Sequence, residues 1–468
     1  MRILRNFVFS DGFRDDIQFF GCEVIFIKYF EKFGYQISFT HFRVFFKWNF
    51  FYSFCLINYN PYRCSLIWRI RMYRFISFIG IAVFIAIAWL LSENRKKVDF
   101  KIVINGLLIQ FAFALFILKT PPGKMIFNFL NKIFSKMIDF TNAGSEFVFG
   151  GLLKEFSFAF SILPTIIFFS SFFAVLYYFG ILQFFVKIFA WMLAKILKTS
   201  GAESLSAAAN IFMGQTEAPL MVKPYIEKMT RSELMCLMTG GLATVAGGVL
   251  AAYVNMGINA GHLIAASVMS APAAIIIAKI MVPETEKPLT SSITGIKIEV
   301  TDRNALDAAA RGAGEGVYLA INVAAMLVAF IAFVALFNYV FSIFGTSLEG
   351  IFGMIFKPFA FLMGVPWEET SQVGSLLGEK TVLNEFIAYD SLAKMNKDVA
   401  TALSERSTVI ATYALCGFAN FGSIAILLGG IGTMAPSRRG DLASLGIKAL
   451  IGGTIACFIT ANIAGILI

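Results

Sequence analysis

Apolar residues recur along the chain in runs of roughly 20, the length an α-helix needs to cross about 30 Å of hydrocarbon. Those runs predict eight membrane spans: residues 75–91, 100–118, 162–182, 232–254, 260–282, 317–344, 403–429 and 442–468. Two further regions are flanked by apolar sequence yet are too polar and broken to span. They are residues 204–229 (SLSAAANIFMGQTEAPLMVKPYIEKM) and 371–394 (SQVGSLLGEKTVLNEFIAYDSLAK). Each is followed by a Ser-Glu pair able to start a helix, Ser232-Glu233 and Ser404-Glu405. Each following span has a Gly- or Asn-rich middle: Gly240 and Gly241 to Gly247 and Gly248 in one, Gly417 and Asn420 to Gly422 and Ser423 in the other. Each half therefore reads as a re-entrant hairpin plus a broken helix, which at membrane depth is tolerated where the opened backbone is shielded from lipid. With the first hairpin entering from the cytoplasm and the second from outside, the two halves form an inverted repeat. Interrupted segments paired in this way mark a transporter's midplane site.

Basic residues set the expected sidedness. Lys and Arg gather in cytoplasmic loops. Arg95, Lys96, Lys97 and Lys101 follow the first span, Lys187, Lys195 and Lys198 the third, and Lys279, Lys287, Lys297, Arg303 and Arg311 the fifth; Arg438, Arg439 and Lys448 precede the eighth. Alternation puts these on one side, and residues 255–259 on the other side hold no Lys or Arg. Residues 119–154, with five lysines predicted outside, break the rule. The first 71 residues also differ from the rest, because Asp15, Asp16, Lys28, Glu31 and Lys32 interrupt every apolar run. Regular patterning begins at Met72, which reads as the true start. The expected organisation is an atypical extension over 1–71, a transmembrane scaffold with an interfacial helix over 72–200, a first hairpin and broken-helix repeat over 201–282, a loop and scaffold helix over 283–344, and a second hairpin and broken-helix repeat over 345–468.

Composition agrees with the pattern. Of 468 residues, 58% are hydrophobic and 15% charged, with mean hydropathy +0.76. Soluble domains hold about 45–50% apolar and about 25% charged residues, so lipid must cover the excess. The net charge of +10 comes without a basic stripe or nucleic-acid motif, and nucleic acid is not an expected partner. Six cysteines show no CxxC and no metal spacing; Cys236, Cys416 and Cys457 lie in apolar segments and read as small buried hydrophobes. With only His41 and His262, a histidine metal site or a catalytic triad is excluded, and no HExxH or GxSxG occurs. The expectation is a protein that is not an enzyme and has no organic cofactor. A membrane-embedded enzyme and a carrier of another polar small molecule are the alternatives.

The candidate chemistry lies in the interrupted segments. Gln215, Thr216 and Glu217 place an amide, a hydroxyl and an acid in succession on the first hairpin. Glu385 follows Asn384 on the second. An intramembrane carboxylate is a functional candidate by default. Asn420 and Ser423 share a face if their segment is helical, and Phe418 is placed to stack on a flat ring. Asn210, Thr244 and nearby carbonyls offer the oxygen ligands that a small hard cation prefers, although such residues also bridge helices.

The segments GQTEAPLMVKPY, MTGGLATVAGGVLAAYV, NEFIAY and CGFANFGSIAILLGGIGTMAPSRRGDLASLG, in that order and spacing, resemble the concentrative nucleoside transporter family over residues 72–468. The resemblance implies an all-α integral membrane fold of eight transmembrane helices plus two opposed hairpins, assembled as a homotrimer. It implies symport of nucleosides with Na⁺ or H⁺, across a bacterial cytoplasmic membrane. It implies that Gln215, Thr216 and Glu217 contact the nucleobase, that Glu385, Asn420 and Ser423 hold the ribose hydroxyls, and that Phe418 lines the pocket. It places sodium on the Asn210 side chain, the Met213 and Val245 carbonyls, and the hydroxyl and carbonyl of Thr244. Thr244 and Gly422 stand where serine is common in the family. The first change keeps the hydroxyl, and the second bears on substrate range.

Overall fold

The structure, a computed structural model, describes residues 61–152, 158–290 and 302–468. Residues 1–60, most of the segment read as an atypical extension, lie outside it, as does Lys154. The chain divides into two units, Met1–Met72 and Tyr73–Ile468, and apart from residues 61–72 of the first helix everything that follows lies in the second. Among the described residues every regular element is helical.

The first helices are α1 (Pro61–Leu90), α2 (Phe100–Lys119) and α3 (Pro121–Phe149), followed by α4 (Leu163–Tyr178) and α5 (Ile181–Leu197). The region expected as the first repeat comprises α6 (Gly201–Ala209), a turn-rich return through Lys223–Ile226, then α7 (Arg231–Ala243), α8 (Gly247–Asn255) and α9 (Ala260–Met281). After α10 (Ala305–Ser342) the region expected as the second repeat comprises α11 (Leu348–Leu362), α12 (Thr370–Val382), α13 (Glu385–Lys397), α14 (Glu405–Leu415), α15 (Phe421–Met434) and α16 (Arg439–Leu467).

Among the described residues, seven helical stretches are long and apolar enough to cross a membrane, which makes this a multi-pass membrane protein. They match seven of the eight expected spans. The remaining one, over 403–429, is two helices, of which Phe421–Met434 is apolar but short. The span expected over 162–182 stops at Tyr178, because Gly180 takes φ 77° and turns the chain into α5. The exceptional lysine-rich stretch 119–154 contains α3, whose exposed Phe129, Phe140 and Phe147 share the helix with Lys132 and Lys136. Such an amphipathic helix suits a bilayer surface, so its lysines do not report a loop. Lys279 is not a loop charge either: it lies in α9, is buried, and ion-pairs with Glu203 and, at 3.1 Å, with Glu284.

Burial sorts the helices. The apolar window of Arg231–Asn255 is entirely enclosed by protein, that of Ala260–Met281 is 89% enclosed, and that of Ala305–Ser342 only 11%. Lipid is as apolar as leucine, so close approach rather than hydrophobic drive joins such helices. In α9 the small residues Ala265, Ala266, Ala271, Ala273, Ala274 and Ala278 are buried against α2, α7 and α16. In α10, Gly312 and Gly316 lie on α4: a Cβ on Gly312 would come 2.8 Å from the Ser170 carbonyl oxygen, and one on Gly316 would come 2.7 Å from the Ile167 Cα. This four-residue glycine spacing lets two backbones touch.

Capping sets where the first repeat begins. Ser200 and Glu203 form a capping box at α6, and Thr230 and Glu233 form one at α7. The expected helix start at Ser232-Glu233 is thus shifted to a Thr230 cap. The two boxes are joined by a 2.6 Å hydrogen bond from Ser200 Oγ to Glu233 Oε1. Lys279 donates to Ser232 Oγ at 3.0 Å, and Thr230 donates to Glu284 at 3.0 Å. Buried charges persist only when paired and hydrogen-bonded, so this cluster staples the base of the first hairpin to the end of α9.

Candidate functional site

Both broken helices open in the middle. Helix α7 stops at Thr244 and resumes at Gly247, and α14 stops at Cys416 while α15 resumes at Phe421. The two openings touch. Phe418 N–H donates to the Thr244 carbonyl at 3.2 Å. Cys457 of α16 lies between them, its thiol 3.2 Å from the Cys416 carbonyl and 3.8 Å from that of Ala243. A Cβ on Gly417 would meet Cys457 Sγ at 2.7 Å and the Ala243 carbonyl at 2.9 Å, so only glycine lets the openings come this close. Its φ of 154° belongs to the same requirement.

A polar chain crosses this junction. Asn384 caps α13 by accepting from Ile387 N–H at 3.0 Å, which makes Glu385 the first residue of that helix, where the dipole favours a carboxylate. Asn420 caps α15 in the same way, accepting from Ser423 N–H at 2.8 Å. Its amide nitrogen donates to Glu385 Oε2 at 2.9 Å, and Tyr253 of α8 donates its hydroxyl to Glu385 Oε1 at 2.9 Å. Gln215 of the first hairpin donates to Ser423 Oγ at 3.3 Å. Gln215, Ser423, Asn420, Glu385 and Tyr253 are all buried, and together they join both hairpins and both broken helices. Gln215 Oε1 has no hydrogen-bond partner, an acceptor left free within the buried chain.

The other expected residues fall around this chain rather than in it. Thr216 lies against α15, where a Cβ on Gly430 would come 2.9 Å from its methyl. Glu217 is exposed and folds back to accept Gly214 N–H at 2.9 Å. Phe418 is half-buried and holds the chain through its backbone. Gly422 faces the Met326 methyl and Asn420 Oδ1.

Two of the expected cation ligands, Asn210 and Thr244, lie at the same last turn of α7. Asn210 caps α6 and is fully buried, with neither side-chain atom hydrogen-bonded. It lies on the last turn of α7, its amide nitrogen 3.0 Å from where Gly240 would carry a Cβ. Thr244 caps that helix and donates to the Gly240 carbonyl at 2.9 Å. An unsatisfied buried amide at the carbonyl-bearing end of a helix suits a cation better than a structural bridge, because leaving it unpaired costs about 1–3 kcal/mol. Among the described residues no cluster of His, Cys, Asp and Glu could hold a metal.

Comparison with known proteins fits this geometry. Models of the Na⁺ dependent nucleoside transporter N-terminus and C-terminus match residues 79–152 and 262–465, and a nucleoside recognition model matches 159–260. An uncharacterized transporter of Haemophilus influenzae is 48% identical, over 84% of this chain and 97% of its own length. The chain belongs to the Na⁺ dependent nucleoside transporter family. The chain is 44% identical to solute carrier family 28 member 3 of Rattus norvegicus, but it spans only 59% of that longer protein. It resembles CNTnw in an inward-facing substrate-bound state with a TM-score of 0.81 and 46% identity, covering 85% of this chain and 98% of the other. A doubly substituted CNTnw in an outward-facing state gives the same TM-score. The all-helical membrane fold expected from the sequence is the one observed, and the family is one of transporters rather than enzymes.

Sequence reasoning missed Tyr253, Lys380 and Cys457. Tyr253 lies in an alanine-rich run and Cys457 in an apolar one, so neither advertises a partner. Lys380 reads as an ordinary hairpin charge, yet it is 1% exposed.

Proposed function

We propose that the chain is a symporter that imports nucleosides with Na⁺ by alternating access, across a bacterial cytoplasmic membrane and as a homotrimer. The observation that carries this reading is the buried chain Gln215–Ser423–Asn420–Glu385–Tyr253, which spans both repeats. A ribose hydroxyl donating to Glu385 adds to the bonds from Tyr253 and Asn420, because a carboxylate has acceptor sites beyond those two. A compound lacking that hydroxyl leaves the carboxylate short of a partner, which selects strongly against free bases. Gln215, with its free oxygen, Thr216 and Glu217 take the nucleobase edge, and Phe418 its face. Asn210, Thr244 and the Met213 and Val245 carbonyls hold the ion. Sodium there orders the turn that carries Gln215 to Glu217, so ion and nucleoside strengthen each other's binding. The hairpins and broken helices then move as a unit against α4 and α10.

The test is uptake of labelled uridine into proteoliposomes, with sodium replaced by choline at fixed pH. The expected outcome is loss of concentrative uptake in choline and in Glu385→Gln. Uptake that survives choline but follows a pH gradient moves the coupling from Na⁺ to H⁺, and no uptake under any gradient removes the nucleoside reading.

A further inference from the structure

The two hairpins meet their broken helices in corresponding ways, with one chemical difference. In the first repeat α6 ends at Asn210, whose unpartnered amide faces the last turn of α7. In the second, α12 ends at Val382, and Lys380 in its last turn reaches the last turn of α14, donating to the Ala414 carbonyl at 2.8 Å. Lys380 is 1% exposed, and this is its described hydrogen bond; among the described residues it has no ion pair. Lysine is almost never fully buried unless paired. What compensates it here is the negative end of the α14 dipole and, within electrostatic reach, Glu385.

We propose that Lys380 is a tethered cation that takes, in the second repeat, the place the coupling ion takes in the first. Lys380 is a positioning residue. It fixes the tip of the second hairpin, and with it Glu385 and the Asn384 cap, to the opened end of α14 whether or not sodium is present. The first hairpin has no such cation and is ordered only when sodium arrives. One end of the nucleoside site is therefore permanently assembled, and ion coupling is confined to the other. This inference rests on the reading of Asn210 and Thr244 as the ion site.

Hydrogen exchange on the full chain in lipid nanodiscs, with and without sodium and with no nucleoside, separates the two ideas. The first-hairpin amides of Met213 and Glu217 bond to Ala209 and Gly214 carbonyls, and those of Leu383 and Ile387 in the second hairpin bond to Glu379 and Asn384. In choline, Met213 to Glu217 should exchange at least tenfold faster than in sodium, while Leu383 to Ile387 change less than twofold. In Lys380→Met the second tip should exchange at least tenfold faster in sodium, with the first tip's sodium response retained; Lys380→Arg should stay within threefold of wild type. A second tip that loosens with sodium withdrawal in the wild type overturns the proposal, as does a Lys380→Met protein whose second tip is protected as in wild type. A first tip indifferent to sodium instead overturns the ion-site reading. If Lys380→Met does not fold, the wild-type arms still decide.

Discussion

The two hairpin tips differ more than their sequence patterns suggest. At the second, Glu385 has both oxygens hydrogen-bonded, from Tyr253 and Asn420, and Lys380 anchors the preceding helix. At the first, among the described residues, Asn210 has no hydrogen-bond partner, Gln215 keeps a free oxygen, and Glu217 is exposed and accepts from Gly214 within its own turn. The first hairpin is firm at its base, through the Lys279, Glu203 and Glu284 cluster, and unfinished at its tip. Two segments with the same pattern of broken helix can thus differ in how fully their polar groups are satisfied within the protein. A site built entirely like the second tip would bind without coupling. One built entirely like the first would pay the ordering cost twice.

Four substitutions probe that contrast. The largest effect belongs to Glu385→Gln. It removes a charged acceptor at the finished tip, a loss worth roughly 1.5–3 kcal/mol, so uridine uptake at low substrate should fall about 100-fold. Equal uptake in the mutant would mean that the finished tip does not touch the substrate. Next comes Asn210→Ala at the unfinished tip, which should raise the sodium concentration for half-maximal uptake about tenfold, while nucleoside affinity at saturating sodium stays near wild type. A parallel loss of both would make Asn210 a packing residue.

Tyr253→Phe removes one neutral donor to Glu385 and should weaken nucleoside binding about fivefold, the equivalent of about 1 kcal/mol. Because Tyr253 belongs to the first repeat and Glu385 to the second, this variant also tests whether the halves are energetically joined. Combined with Glu385→Gln, it should add less than its single-variant effect.

The smallest effect is at the base of the first repeat. Glu93 accepts from Arg231 at 3.0 and 3.2 Å and from Lys448 at 2.5 Å. The Arg231 hydrogen bonds, more than those of Lys448 and against partial burial, hold its carboxyl below the usual 4.5. A depressed carboxylate stabilises the fold above its unfolded pKa and loses that contribution as pH falls through the folded value, so the window lies below about pH 4.5. The groups are partly exposed, so Glu93→Gln should lower Tm at pH 7 by only about 1 °C, and the difference from wild type should vanish in acid. A constant difference down to pH 3 would show that the pair is not what the substitution removes.

Much of this arrangement was legible in the chain, for physical reasons. Lipid imposes long apolar runs, so seven spans stood out, and backbone broken inside a membrane demands Gly, Asn and Ser, so both openings could be located. The lysines of α3 stood out as an exception to the loop rule because its apolar and basic residues share one amphipathic helix instead of forming a run. Lys279 was misread, and Lys380 passed over, for a related reason. Composition counts a lysine as a surface charge, and only the fold shows that Glu203 or a helix end receives it. The polar chain through Tyr253 was also invisible, since no spacing rule links α8 to α13. Glu385, Asn420 and Ser423 were singled out because carboxylates and amides are costly at membrane depth and so stand out against apolar sequence.

The central claim is that sodium completes the first tip while the second is already built. Isothermal titration of uridine into the nanodisc-embedded protein across a range of sodium concentrations tests it most directly, paired with titration of sodium at zero and saturating uridine. Sodium should tighten uridine binding by at least tenfold, and uridine should tighten sodium binding by the same factor. Uridine affinity that does not change with sodium would contradict the account.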